Sequence, residues 1–334
     1  MSKPIAVLIS DVHYSLPTLE LADAAMRQAI AKANELEVPL IVAGDLHDTK
    51  ANLRGECVNR MIDTFSELLE PCYILRGNHD QINEKSEEHS ITFLSLLACV
   101  VIVDEPLLTP LVAPNMTMIP YHHDPDELRD VLGRVSKGST LIMHQGITGS
   151  NSGDYIQDKS AITPADVAGF RVISGHYHSR QTIELPDGGS WSYIGNPYSL
   201  NYGEANDPEK GYQILMSDGS LEFAPTNLRK HVIVTIESGL WEGISEIKEG
   251  DLVWCKVKGT KEYLQSITRS FVRDIILEQD IDFRLTLEPT DLDLKAPTKT
   301  LTQGELFDNL IDSIDTSLET KTRLKTTWKS LCVS

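Results

Sequence analysis

The sequence predicts an α/β protein of α+β character: a mixed β-sandwich flanked by helices, then a small α/β module, then C-terminal helices. Three observations predict it. Short apolar runs alternate with amphipathic stretches at helical spacing through the first two-thirds of the chain. Five of those runs end in a burst of Asp, His or Asn. Around residues 225–230 the pattern changes to a compact β-β-α-β order, followed by a proline-containing stretch.

A strand over 5–9 leads to Asp11 and His13. A helix over 18–37 carries Leu19, Ala22, Met26, Ala29, Ile30 and Ala33 on one face. It crosses to a strand over 40–43, making a parallel strand-helix-strand unit that ends at Asp45 and Asp48. A helix over 54–69 leads to a strand over 71–75 and the turn Gly77, Asn78, His79, Asp80. A helix over 91–99, strands over 100–103 and 116–119, and a helix over 124–135 precede the strand that delivers His144. Residues 146–160, rich in Gly, Ser, Asn and Asp, read as a long mobile loop. Thr163 and Pro164 open a short helix. The strand over 172–174 delivers His176 and His178, and turns at 186–189 and 217–220 predict two hairpins.

Past residue 230, strands over 232–236 and 252–257, a helix over 261–279 and a strand over 283–287 form the small module. A linker over 288–300 ends at Thr302 and Glu305, the spacing of a capping box. Leu306, Leu310, Ile311, Ile314 and Leu318 then make an amphipathic stretch, and a basic helix over 321–331 contains Trp328. That apolar stripe either packs back on the chain or docks on a partner.

Composition narrows the classes. The 334 residues have 41% hydrophobic and 24% charged content, as in a globular protein. No apolar run approaches the ~20 residues of a membrane span. The N-terminus enters a strand without a signal-peptide pattern, so a cytoplasmic location is expected. Five dispersed cysteines without a C-x-x-C pair fit a reducing compartment. The net charge of −19 is unlike a protein that grips nucleic acid unaided, which needs a basic face.

A lone His or Asn at a turn is ordinary turn chemistry. Five strand ends collecting such residues instead point to a metal site at the C-terminal edge of a sheet. Asp11, His13 and His178 are expected to hold one divalent ion, Asp45 to bridge, and Asn78, His144 and His176 to complete a second. Mixed oxygen and imidazole donors suit manganese, iron or zinc, and no thiolate is at hand for a structural zinc. His79 is left as a general acid, with Asp48 its expected orienting carboxylate and Asp80 the lesser candidate. His47 either contacts phosphate or fills space, the latter favoured.

Taken in order, these motifs resemble those of the calcineurin-like metallophosphoesterases over residues 5–180. Met143 to Gly146, Ser174 to His178 and Tyr193 to Pro197 look more particularly like SbcD-type DNA nucleases, including compact bacteriophage recombination endonuclease subunits. The resemblance implies a metallophosphoesterase domain (1–227), a capping domain (228–290), and a linker with partner-binding helices (291–334). It further implies a manganese-dependent DNA exonuclease and endonuclease, with magnesium, iron or zinc as other candidate ions. Expected partners are DNA, an SbcC-type coiled-coil ATPase bound through the C-terminal helices, and a second copy in a homodimer. In that setting the ATPase supplies much of the basic surface that the chain lacks. A stand-alone phosphodiesterase or phosphatase for a small molecule such as a cyclic nucleotide is the second reading. A metal-poor binding subunit is the third.

Overall fold

The structure is a computed structural model describing residues 2–48, 50–83, 88–109, 111–152, 155–156, 162–237, 240–242, 247–276, 283–290, 311 and 320–325. The chain opens with β1 (Pro4–Ile9), α1 (Leu19–Leu36), β2 (Leu40–Val42), α2 (Gly55–Phe65), β3 (Cys72–Leu75) and β4 (Val100–Val103), the four strands pairing in parallel. β2 and β3 are buried throughout and read as continuous apolar runs because both faces of this sheet are covered. α1 lays Ala22, Met26, Ala29, Ile30 and Ala33 on one face of the sheet, with Val7, Ile9, Leu40 and Val42 beneath them. It stops at Glu37, whose left-handed φ of 56° turns the backbone N–H back onto Ala33 and Asn34. Truncating Ile30 to Ala in this layer costs about 2–5 kcal/mol.

A second sheet follows: β5 (Met116–Ile119), α3 (Pro125–Gly133), β6 (Thr140–His144), the short ribbon β7 (Asn151–Ser152) with β8 (Tyr155–Ile156), then β9 (Arg171–Gly175), β10 (Gln181–Glu184) and β11 (Ser190–Tyr193). Its order is β10-β11-β9-β6-β5. Asp124 caps α3 by accepting from the Asp126 N–H, and Pro125 takes the first position, where no N–H is needed. Leu128, Val131 and Leu132 then cover Phe170 and Trp191 on the outer face. β12 (Gly211–Met216) and β13 (Leu221–Pro225) return to the first sheet, giving the order β13-β12-β1-β2-β3-β4. The sheets meet face to face, with Ala6, Leu8, Ile41, Ala43 and Leu75 against Met118, Ile142, Ile173 and Ile194. Sandwich, flanking helices and both hairpins agree with the sequence.

β14 (His231–Glu237), β15 (Leu240–Glu242), β16 (Leu252–Gly259), α4 (Lys261–Ser266), α5 (Arg269–Ile276) and β17 (Phe283–Pro289) build a separate small sheet over its own core of Val234, Cys255, Val257, Leu264 and Val272. It rests on the 199–204 segment: Ser199 Oγ is 3.0 Å from His231 Nδ1, and Tyr202 packs edge-on against His231 and Trp254.

Several expectations need correction. The helix predicted over 261–279 is broken at Ile267, which is extended and buried, and Thr268 Oγ1 then accepts from the Phe271 N–H to start α5. Residues 163–168 form turns instead of a helix. Asp166 Oδ2 accepts from both the N–H and the hydroxyl of Thr163, which closes the turn. Only Thr92–Leu96 of the 91–99 segment is helical, as a 3-10 turn. The base of the 146–160 loop is pinned, since Ser150 is fully buried and bonded to the Tyr193 hydroxyl, and Ile147 bridges Ile162. Residues 320–325 are helical, and the predicted 288–300 linker begins as strand, because β17 runs on to Pro289; residues 291–300, the capping box at 302–305 and the rest of the tail, Ile311 excepted, lie outside the described residues.

Candidate metal centre

Parallel strands put their C-terminal ends on one edge, so β1, β2 and β3 of one sheet and β6 and β9 of the other deliver their loops to the same rim. Past the strands, the first two loops stay laced together: Asp11 N donates to Gly44 O, His13 N to Asp45 O, and Tyr14 N to Leu46 O. Asp11, His13, Asp45 and His176 all adopt positive φ, at 53°, 52°, 51° and 96°. Non-glycine residues rarely do so, and such backbone costs about 1–3 kcal/mol each. Here it aims four side chains into one space. Gly77 is demanded by close approach, because a Cβ there would lie 2.2 Å from Asp45 Oδ1.

Three donor groups result: His13, Asp48 and His79 at the rim, and two sets at the expected ion positions. In one of these two sets, Asp11, His13 and His178 present ligand-type atoms within 4.8 Å of one another. In the other, Asp45, His144 and His176 do the same, and Asn78 Oδ1 lies 3.0 Å from His144 Nε2 and 2.8 Å from His176 Nδ1. Asp45 Oδ2 stands between the two sets, 3.2 Å from His144 Nε2 and 4.0 Å from His13 Nε2. Its other oxygen is held by the His79 N–H at 2.8 Å.

The hydrogen-bond network tests whether this set suits cations. His178 Nδ1 faces Glu204 Oε1 at 2.9 Å, and His13 Nδ1 lies 3.3 Å from Asp48 Oδ1. A proton at His178 Nδ1 leaves its Nε2 facing His13 Nε2 at 3.2 Å. His144 Nδ1 likewise donates to Ala43 O at 2.7 Å, turning Nε2 toward Asp45 and Asn78. The imidazole nitrogens of His13, His178 and His144 thus converge with the Asp45 carboxylate on one space, a donor set that fits a bound cation.

Electrostatics agree. Burial opposes charge on Asp45, yet His144 and His13 hold its carboxyl well below the carboxylate range. Burial also disfavours charge on His144, but Asp45 beside it pushes the imidazole up to about 9. That proton supplies the positive charge which divalent ions would replace. His176, buried and beside His144, is pushed down to about 4, a neutral ligand. His79 is half-exposed at the rim. The Asp48 carboxylate, 3.4 Å from its Nδ1, raises it to about 9, and the same nitrogen donates to Asp48 O at 3.0 Å.

All nine residues singled out in the sequence meet at this rim. Asp80 does not approach His79 through its carboxylate; its two oxygens accept from the His47 and Gly77 N–H groups and fix the loops. His47 is fully buried with Nδ1 3.1 Å from Ser90 Oγ, in the space-filling role. Sequence reasoning missed Glu204, together with Asn196 and Lys210. Glu204 Oε2 accepts from Asn196 Nδ2 and from the Leu200 N–H, with Lys210 Nζ 3.2 Å away. A glutamate in a Tyr-Gly-Glu-Ala turn, 26 residues after its histidine, gives no local signal.

The fold and the site together define a metal-dependent phosphoesterase with a candidate binuclear centre. Residues 6–180, more than half of the chain, match the family described as calcineurin-like phosphoesterase, and the chain belongs to that family. Among solved structures it is similar to a dimetal phosphatase from Danio rerio, at 14% identity over 64% of this chain and 96% of that one, with a TM-score of 0.41. It is also similar to the nuclease MPE from Pseudomonas putida, at 15% identity over 63% and 84% of the two chains, with a TM-score of 0.33. No curated protein sequence matches it.

Proposed function

We propose that the protein is the nuclease subunit of a DNA end-processing machine: a manganese-dependent exonuclease and endonuclease acting with an SbcC-type coiled-coil ATPase in recombination, repair or replication. The observation that carries phosphodiester hydrolysis is the position of Asp45 Oδ2 between two donor groups, with the His79 imidazole on the open rim beside them. Asp11, His13 and His178 would hold one ion, Asn78, His144 and His176 the other, and Asp45 both. Ions there supply Lewis-acid polarisation of phosphate and an activated water. The chain's own work is to fix those donors through Glu204, Ala43 O and the left-handed loops. It also keeps a proton on His79, through Asp48, for the departing oxygen.

The DNA substrate is supported by the order of motifs at 143–146, 174–178 and 193–197, the last of which contributes Asn196 to the network beneath His178. The module built from β14–β17 supports a capping domain over 228–290, and the acidic chain leaves DNA grip to the ATPase. In this reading residues 291–334 dock on that partner and two copies pair. α2 exposes Ile62 at 39% and Leu69 beyond it at 80%, while Phe65 is spent on the core.

The test offers the purified chain a labelled linear duplex, a single strand and bis-p-nitrophenyl phosphate, with manganese and with chelator. Manganese-dependent DNA cleavage lost in His79→Ala supports the proposal. Inactivity on DNA even with the ATPase present, alongside hydrolysis of the small ester, favours the small-molecule phosphodiesterase. Removing residues 301–334 is expected to abolish ATPase co-purification while sparing ester hydrolysis.

A further inference from the structure

At the end of the sandwich away from β4 and β5, the inward-facing positions stop being apolar. β11 alternates, with Trp191 and Tyr193 in the outer core and Ser190 and Ser192 on the opposite face. Ser192 is the cross-strand partner of Ile173, a member of the inter-sheet core, so it points between the sheets. Thr182 pairs with Ser192, their hydroxyls 3.0 Å apart. From the first sheet, Gln213 and Phe223 pair across β12 and β13 and face the same gap. Thr182 is exposed and Ser192 half-buried, so the sandwich opens to solvent here as a polar cleft.

The gap is a cavity of about 530 Å³, and Arg171 and Arg180 line it together with those residues. Among the described residues no carboxylate lines it, in a chain of net charge −19. Arg180 lies 4.1 Å over the Phe223 ring, and neither arginine forms an ion pair among the described residues. Its Nε is shut off from solvent with no acceptor there either. Arg171 reaches the 217–220 turn, donating to Asp218 O at 3.4 Å, and its guanidinium passes so close to Gly219 that a Cβ would collide with it. Two guanidinium groups with hydroxyl and amide donors and no counter-charge make an anion site.

We propose that this cleft binds a phosphate-bearing anion up to the size of a nucleoside monophosphate, with Arg171 near its Ser190 end and Arg180 over Phe223 supplying the positive charge. None of the residues that line it is a donor of the metal centre, and the proposal does not depend on what that centre cleaves.

Isothermal titration calorimetry on the full chain in EDTA would use three probes: inorganic phosphate, deoxyadenosine 5′-monophosphate and deoxyadenosine. One-site binding of a phosphate-bearing probe, and none of deoxyadenosine, is expected. Equal affinity for phosphate and the nucleotide assigns the site to free phosphate, and tighter nucleotide binding assigns it to nucleoside phosphates. Arg180→Gln, and separately the more exposed Arg171→Gln, should weaken binding at least ~10-fold with melting midpoints retained. No binding of either phosphate probe overturns the proposal. So does binding indifferent to both arginine variants, which would place the anion elsewhere on the chain.

Discussion

His178 Nδ1 lies 2.9 Å from Glu204 Oε1, so the carboxylate of a distant turn dictates which nitrogen of that imidazole faces the donor cluster. Glu204→Gln is therefore expected to lower metal affinity about 10–100-fold, the usual cost of losing such an orienting partner. Equilibrium dialysis with elemental analysis reads it, and unchanged affinity would show that His178 needs no help.

The same glutamate sets an acid limb of stability. Burial raises its pKa, but the hydrogen bond from His178 and the Lys210 charge outweigh it and hold the group at about 2, below the usual 4.5. A depressed folded-state pKa stabilises above the unfolded value and is lost as pH falls from 4.5 toward 2. The loss amounts to roughly 3 kcal/mol. Urea unfolding in EDTA at pH 6 and pH 3 should show a smaller drop for Glu204→Gln than for the parent, and equal drops would refute the assignment.

His79→Ala should keep its bound metal and lose about 100-fold or more in rate. Asp48 is the largest cause of the raised pKa of His79, near 9, so the acid is lost as pH climbs through that value. Asp48→Asn should therefore move the alkaline limb of the pH–rate profile to lower pH. A limb that stays in place would assign the proton elsewhere.

Asp45→Asn replaces the oxygen that stands between the two expected ion positions with an uncharged amide. Bound metal should fall below that of the parent, and full occupancy by elemental analysis would count against a bridging role.

The strands that end at the rim and the nine residues there were legible because each Asp, His or Asn follows its apolar run within a few residues, a pattern that survives without tertiary information, whereas the short β7, β8 and β15 were not. Glu204 was not, since its partner is 26 residues away and its turn looks like any other. Local competition hid the rest. Thr268 offers a second cap inside what reads as one helix, and Asp166 binds Thr163 where Thr163 and Pro164 read as a helix start. Nor could spacing reveal the positive φ of Asp11, His13 and Asp45, which sit in the laced loops, or of His176, whose N–H donates to the Asp11 carboxylate.

Each donor set at the expected ion positions takes side chains from both layers of the sandwich: Asp11 and His13 meet His178, and Asp45 and Asn78 meet His144 and His176. An ion held by either set is thus a rivet through two plates. Every decade of free metal above its dissociation constant adds about 1.4 kcal/mol against their separation. Metal supply in the surrounding medium would then govern the lifetime of the folded chain as well as its turnover.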